Sequence, residues 1–585
     1  MGHLGRMRRG LQGLLSVALV VAIGAVALIR AGAGDSPVAA AVKAGDLDGV
    51  RKLIASKADV NLAGSDGSTA LLWAAYGSDV EAARVLIAAG AKPDIANRFG
   101  VTPLIQASRT GDAVLVKVLL DGGANPKLAH PEGETPLMAA SRSGNLEAVQ
   151  MLLARGSDVN AAELFQEETA IMWAAAEGHA AVIDALIASG ADPNKKARVT
   201  SLTERKNADH PTGGFTALMW AARNGHEAAM RSLVKGKADL NLTNGDNATA
   251  MNIAIYNDRF DIAAELVELG ADVNDGSLYH AVEMRDATTD WYAHDGSQLR
   301  ANHPNKHTAL DLIKLLLDKG ADPNRSFSGL FHSTSMPNND RFDNSPFFRA
   351  AVASDVEALK VLVASGKVDL EKTPPVPAPP AEGAAPPAGG RGRGNANAGR
   401  TAIMVTMTGG RGVGLSAGPG YTREGAPPWR EPGSREPLKA FEFLLNAGAN
   451  PNAKAGDGNT LLHQVAQAGN IDMIKLLASH KVDFNQKNNG GLTALDVAEG
   501  KVPEGARGGA AARGGARGAA PPPPAGGARG RGARGGASQQ DVAKLLRELM
   551  GLPPAPPSAA PANPPTDQAA PANDAAATPE DGDVQ

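Results

Sequence analysis

Apolar residues along this chain come in short blocks set at helical spacing and cut by polar turns. Leu115, Val116, Leu119 and Leu120 form one such stripe, which predicts an amphipathic helix. A second block lies just before it, from Thr102 to Ser108. Thr102 is placed to cap a helix whose first residue is Pro103, where a missing N–H costs nothing. Gly111-Asp112 breaks that helix, and Gly123 ends the next one, as a left-handed C-terminal glycine does. The block then returns. TALLWAA at 69–75 becomes TPLIQAS at 102–108, TPLMAAS at 135–141 and TAIMWAA at 169–175, with leading threonines 33, 33 and 34 residues apart. A period of that size predicts a stack of helix-turn-helix units, each burying its apolar face on its neighbours.

A closing phrase repeats with the same beat: AKPD 91–94, ANP 124–126, SDVN 157–160, ADPN 191–194, ADLN 238–241, ADVN 271–274, ADPN 321–324, ANPN 449–452 and VDFN 482–485. The composite T-P-L-x-x-A-A, then G-x-x-x-x-V-x-x-L-L-x-x-G-A-D-x-N, resembles the ankyrin repeat over about two thirds of the chain. The resemblance implies an all-α solenoid of about 11–12 helix-turn-helix units, with disordered loops and tail. Units end near 61, 94, 127, 160, 194, 241, 274, 324, 370, 452 and 485, followed by a terminal one. Residues 37–61, without the T-P-L start, read as an N-terminal cap. The terminal unit starts at Thr493 and takes its second helix from Gln539–Met550.

Two departures from the family pattern stand out. The histidine that follows T-P-L appears only at His463; elsewhere Leu72, Ile105, Met138, Met172, Met219, Asn252 or Asp496 takes its place. Apolar contacts are expected to replace its inter-unit hydrogen bonds. The helix-ending position is Gly at 90, 123, 156, 190, 270, 320 and 448, but Lys at 57, 237, 367 and 481. Lysine is uncommon in a left-handed conformation, so those four units should be less stable or end their helices differently.

Insertions interrupt the array. They are expected between the two helices of a unit at 286–307, 409–437 and 501–537, and in exit loops at 195–214, 325–344 and 372–399. The Pro/Gly/Ala/Arg-rich ones cannot bury enough apolar area to order themselves. The expected organisation is therefore a leader at 1–33, regular repeats at 36–274, and repeats with insertions at 275–371. A Pro/Gly/Arg-rich insertion holding part of a repeat follows at 372–437, then C-terminal repeats at 438–550 with disordered 501–537, and a Pro/Ala-rich tail at 551–585.

In the leader, Arg6, Arg8 and Arg9 precede an apolar run from Leu11 to Ile29, and Ala31-Gly32-Ala33 follows. That order is a secretory signal, which places the rest of the chain outside the cytoplasm, in the periplasm or cell envelope. Left uncleaved, 11–29 would tether it to the inner membrane, since about 20 apolar residues span a bilayer.

The chain of 585 residues has 4% aromatics, suited to thin Ala/Leu layers rather than one large core. It has no cysteine, which excludes disulfides, thiolate catalysis and cysteine metal sites. A net charge of −4 gives no argument for nucleic acid. The Arg-Gly tracts around Arg391–Arg400 and Arg507–Arg534 lack the interleaved aromatics that stack on bases.

No nucleophile–base pair, phosphate loop or carboxylate dyad appears, and neither catalytic residues nor a cofactor are expected. His280, His294, His303 and His307, with Asp290 and Asp295, are conceivable metal ligands and make a metal module in 278–310 the alternative. His179 and His226 lie in the turn between helices, where the resemblance implies no catalytic meaning.

The resemblance implies partner binding through turn tips and the ends of first helices, on the concave side. Carried onto this chain, the helix-end residues are Tyr76, Arg109, Arg142, Arg223 with Asn224, and Tyr256 with Asn257; the tips are Arg98, Phe99, Glu132, Phe165 and Gln166. Trp73, Trp173 and Trp220 are expected to fill the core. The reading is a monomeric scaffold for a protein partner.

Overall fold

In the computed structural model, residues 36–200, 212–286, 305–326, 345–373, 399–407, 436–501 and 537–554 are described. The chain packs as two compact units, residues 1–461 and 462–585. The leader, the Arg-Gly tracts apart from Arg400, the tail beyond residue 554, and His294, His303, Asp290 and Asp295 lie outside the described residues.

Among the described residues, twelve helix pairs follow one another along the chain. They are α1 Pro37–Lys43 with α2 Leu47–Ala55, α3 Ala70–Tyr76 with α4 Val80–Ala88, α5 Pro103–Thr110 with α6 Ala113–Asp121, and α7 Pro136–Ser143 with α8 Leu146–Ala154. Next come α9 Ala170–Glu177 with α10 Ala180–Ala188, α11 Ala217–Asn224 with α12 Glu227–Lys235, α13 Ala250–Tyr256 with α14 Phe260–Glu268, and α15 Ser277–Asp286 with α16 Ala309–Asp318. The last are α17 Pro346–Ala353 with α18 Val356–Ala364, α19 Ala402–Thr406 with α20 Pro437–Asn446, α21 Leu461–Ala468 with α22 Ile471–Ser479, and α23 Ala494–Ala498 with α24 Gln539–Leu549. Most of the insertions at 286–307, 325–344, 372–399, 409–437 and 501–537 lie outside the described residues. At the base of 195–214, β1 Val199–Thr200 and β2 Thr212–Gly213 form an antiparallel ladder.

Most first helices start at a hydroxyl cap: Thr69 Oγ1 accepts from Leu72 N at 3.3 Å, Thr102 from Ile105 N at 3.2 Å, and Ser36 from Ala39 N at 3.1 Å; Thr169 and Thr401 stand at the cap of α9 and α19 without such a bond. First helices pack on first helices, and second on second, as in α4–α6–α8. The residues that stand in for the missing histidines, from Leu72 to Met219, are buried, with Leu72, Val101 and Ile105 in one apolar cluster. Asn252 is the polar substitute: its Nδ2 donates to Asp275 Oδ2 at 2.9 Å and to Ser277 Oγ at 2.7 Å. In the second unit His463 Nε2 bonds the Leu492 carbonyl at 2.9 Å.

The closing phrase has a physical job. Its Asp closes its own turn, as Asp158 Oδ1 does on Asn160 N at 3.0 Å, an Asx turn. Its Asn reaches the next pair with both ends of the amide. Asn160 Oδ1 accepts from Asp192 N at 2.9 Å and its Nδ2 donates to the Gly190 carbonyl at 2.9 Å. Asn61, Asn194 and Asn324 repeat both bonds on the following pair.

The helix-ending glycines are left-handed, and so are Lys57, Lys237 and Lys481, with φ of 64°, 66° and 59°. Lys367 is a correction. Gly366 takes the left-handed place at φ 69°, because α18 is followed by one extra residue before Asp369.

Candidate protein-interaction face

Hairpin turns project between consecutive pairs, and their tips are tied together. Asp66 O accepts from Arg98 N at 2.9 Å, Glu132 O from Leu164 N at 2.8 Å, and Gln166 O from Arg198 N at 2.6 Å. Close approach demands glycine at Gly133: φ is 92°, and a Cβ there would sit 2.8 Å from Leu164 N.

Inward polar groups hold each tip. Asn97 Oδ1 accepts from Phe99 N and Val101 N, both at 3.0 Å. The buried Glu163 carboxylate accepts from Phe165 N and Gln166 N at 2.6 Å, and from Glu168 N at 3.1 Å. With the backbone satisfied inward, apolar side chains face out. Phe99 is 70%, Leu164 65% and Phe165 74% exposed. Arg98 and Glu132 are exposed beside them, and Gln166 is half-buried. Leu164 escaped the sequence reading because its position in the repeat carries no periodic signal.

The first helices flank these tips with aromatic and cationic side chains at the fourth and seventh residues after the cap. Lys43 Nζ lies 3.9 Å from the Trp73 ring centroid, Arg142 5.7 Å from Trp173, and Arg223 5.4 Å from Trp220, within cation–π range. Tyr76, 42% exposed, packs on Trp73 at 5.5 Å. The three tryptophans are half-buried, a correction to their expected core role: the fourth position points to this face rather than between helix layers.

Trp173 Nε1 donates to Glu168 Oε2 at 3.1 Å, and burial raises the Glu168 carboxyl above its ordinary range. Arg109 Nε donates to Glu134 Oε1 at 3.0 Å, and that hydrogen bond raises the guanidinium. Arg142 is 3.6 Å from Glu177. His179 Nε2 and His226 Nε2 bond the carbonyls of Arg142 and Ala176 at 3.0 Å, and Asn224 Nδ2 donates to the latter carbonyl at 2.8 Å. These histidines tie successive pairs together.

Tyr256 and Asn257 do not join the row. Both are buried. Tyr256 OH lies 2.5 Å from His280 Nε2 with ring centroids 4.5 Å apart, and Asn257 Nδ2 turns back to the Ile253 carbonyl at 2.8 Å. Burial holds His280 neutral by lowering its pKa well below the usual imidazole range. His307 Nδ1 lies 2.7 Å from Asp261 Oδ1. The two described histidines of the proposed metal module thus face different partners. Among the described residues, no group of three or more His, Asp or Glu is arranged to hold a metal ion, and no helix is long and apolar enough to cross a membrane.

Among solved structures, the ankyrin repeat domain of Bcl-3, a member of the IkappaB protein family, aligns at 25% identity and TM-score 0.34, covering 40% of this chain and 99% of its own. The human ASB11 ankyrin repeat domain aligns at the same identity and TM-score, covering 40% of this chain and 98% of its own. The family model described as ankyrin repeats (3 copies) matches residues 38–130, 104–197, 198–277 and 434–503, more than half of the sequence. The chain belongs to the ankyrin-repeat family.

Proposed function

We propose that this protein is a non-catalytic scaffold that binds a protein partner along the hairpin tips and first-helix ends between Asp66 and Arg223. The reading rests on the family, whose repeats are protein–protein interaction modules, and on one observation. Phe99, Leu164 and Phe165 are largely exposed on tips held rigidly from within, next to a row of tryptophans each carrying a cation. Rigid exposed aromatics and arginines are the side chains that dominate interface energetics. Crosslinking and pull-down with Tyr76, Phe99, Arg142, Phe165 and Arg223 changed to Ala should lose the partners that the unaltered chain retains. Identical partner lists would remove the proposal.

The basic-apolar-small order of residues 6–33 supports export to the periplasm or cell envelope, with an inner-membrane tether if 11–29 is kept. N-terminal sequencing of the mature protein decides between the two: a start near Gly34 means cleavage, and an intact leader in the membrane fraction means an anchor. A leader-bearing protein in the cytoplasm would overturn export.

A further inference from the structure

One seam of the first unit breaks the hairpin row. Eight residues separate Asn61 from α3, and eight separate Asn241 from α13, but only Asp275 and Gly276 separate Asn274 from α15. A hairpin is missing there, and a cavity of about 310 Å3 occupies its place, lined in part by Asn241, Asn247, Asp272, Asn274, Asp322 and Arg325. That volume is at the low end of small-ligand clefts, about 300–1,000 Å3.

The asparagine ladder changes at the same place. Asn61, Asn160, Asn194 and Asn324 each donate Nδ2 to a carbonyl of the next pair, at 3.1, 2.9, 3.2 and 2.6 Å. Asn241 and Asn274 keep only the accepting half, from Asp272 N at 2.8 Å and Asp322 N at 3.0 Å. Their amide N–H groups make no hydrogen bond among the described residues. Asp272 and Asp322 each spend Oδ1 on their own turns, at 2.9 and 2.8 Å; their second carboxylate oxygens take no side-chain partner among the described residues. Arg325 forms no ion pair among them either.

The cavity wall therefore carries both amide and guanidinium donors and carboxylate acceptors that have no side-chain partner among the described residues, most of them on exposed residues. A cation would use the carboxylates and strand the amides and the guanidinium; an anion would do the reverse. A hydroxyl donates and accepts at once. Leaving either set unmatched against a bound group costs affinity. We propose that this cavity binds a mono- or disaccharide, whose vicinal hydroxyls donate to Asp272 and Asp322 and accept from Asn241, Asn274 and Arg325. Asn247, left-handed at φ 63° on the neighbouring hairpin, lines one wall of the cavity and adds a further amide. The site is separate from the partner face between residues 66 and 223.

The test uses the purified full chain, with saturation-transfer NMR and calorimetry. The probes are glucose, mannose, N-acetylglucosamine, maltose and cellobiose, with agmatine and citrate as cationic and anionic comparators. At least one saccharide is expected to bind with Kd below about 1 mM. Asp322→Asn, which keeps the turn-closing oxygen, and Arg325→Ala should each weaken it about tenfold or more, with thermal unfolding unchanged. Phe165→Ala should leave it unaltered. No saccharide binding at roughly ten times that concentration would overturn the proposal. So would binding of agmatine or citrate alone, or saccharide binding indifferent to both cavity variants.

Discussion

The asparagine ladder makes a local claim about stability that one substitution isolates. Asn160→Ala removes two hydrogen bonds across one seam, Oδ1 to Asp192 N and Nδ2 to Gly190 O, both at 2.9 Å. Each is worth about 0.5–1.5 kcal/mol net, and water reaches the groups left behind. The expected loss is therefore about 1–2 kcal/mol. Asn160→Asp keeps the acceptor and loses the donor, so it should cost about half as much. The third-to-fourth seam is a natural comparison, because Lys127 stands in the asparagine position and the seam is held instead by Arg155 Nη1 on the Leu120 carbonyl at 2.8 Å. Lys127→Asn should gain what Asn160→Ala loses. Repeat arrays are stabilised by nearest-neighbour terms, so the assay is native-state hydrogen exchange read unit by unit. The Asp192 amide and α9–α10 should exchange faster in Asn160→Ala, with α3–α4 unchanged. Unaltered exchange at Asp192, or an equal loss everywhere, would refute the reasoning.

Other expectations follow from the same structure. Lys237→Gly relieves a left-handed residue that costs roughly 1–2 kcal/mol, offset by about 0.5–1 kcal/mol of glycine entropy, so its unit should gain a few tenths to about 1 kcal/mol in thermal unfolding; Lys367→Gly should gain nothing, because Gly366 already turns the chain. Arg285 is buried, donating to Asp355 Oδ2 at 2.6 Å and Glu357 Oε2 at 2.9 Å. Arg285→Leu should cost about 3–5 kcal/mol by stranding the buried Asp355, measured by urea denaturation, and adding Asp355→Asn, which can still cap α18, should restore most of it. Burial raises the Asp496 carboxyl, but the Lys501 ammonium and the Thr493 N–H and hydroxyl outweigh it and pull it down to about 2. Its folded pKa lies below its unfolded one, so the contribution is full above about pH 4 and is lost as pH falls towards 2. Hydrogen exchange across 493–501 and 537–554 should loosen in that window, and Asp496→Asn should flatten the response.

Much of this molecule is legible because a repeat states its pattern many times. Hydroxyl caps and left-handed glycines follow from spacing, and the burial of 72, 105, 138, 172 and 219 from the resemblance. The misses occur where the pattern says nothing. The repeat motif aligns Lys367 with the wrong turn because a single extra residue is invisible to it. Tyr256 shares its repeat position with Arg142 and Arg223, yet it is buried because His280 stands at the facing position of the next pair. The resemblance puts a packed apolar residue where the tryptophans stand, whereas in this chain the fourth position after the cap meets Lys43, Arg142 and Arg223.

By itself the amino-acid order determined the helix pairs and their period, since those depend on neighbours close in the chain or on a regular beat. Only the tertiary structure decided which side chains at the hairpin tips and first-helix ends are exposed, where the ladder of asparagines loses half its bonds, and where a missing hairpin opens a cavity. These depend on groups about thirty or more residues apart meeting within hydrogen-bonding distance, a relation that no local pattern encodes.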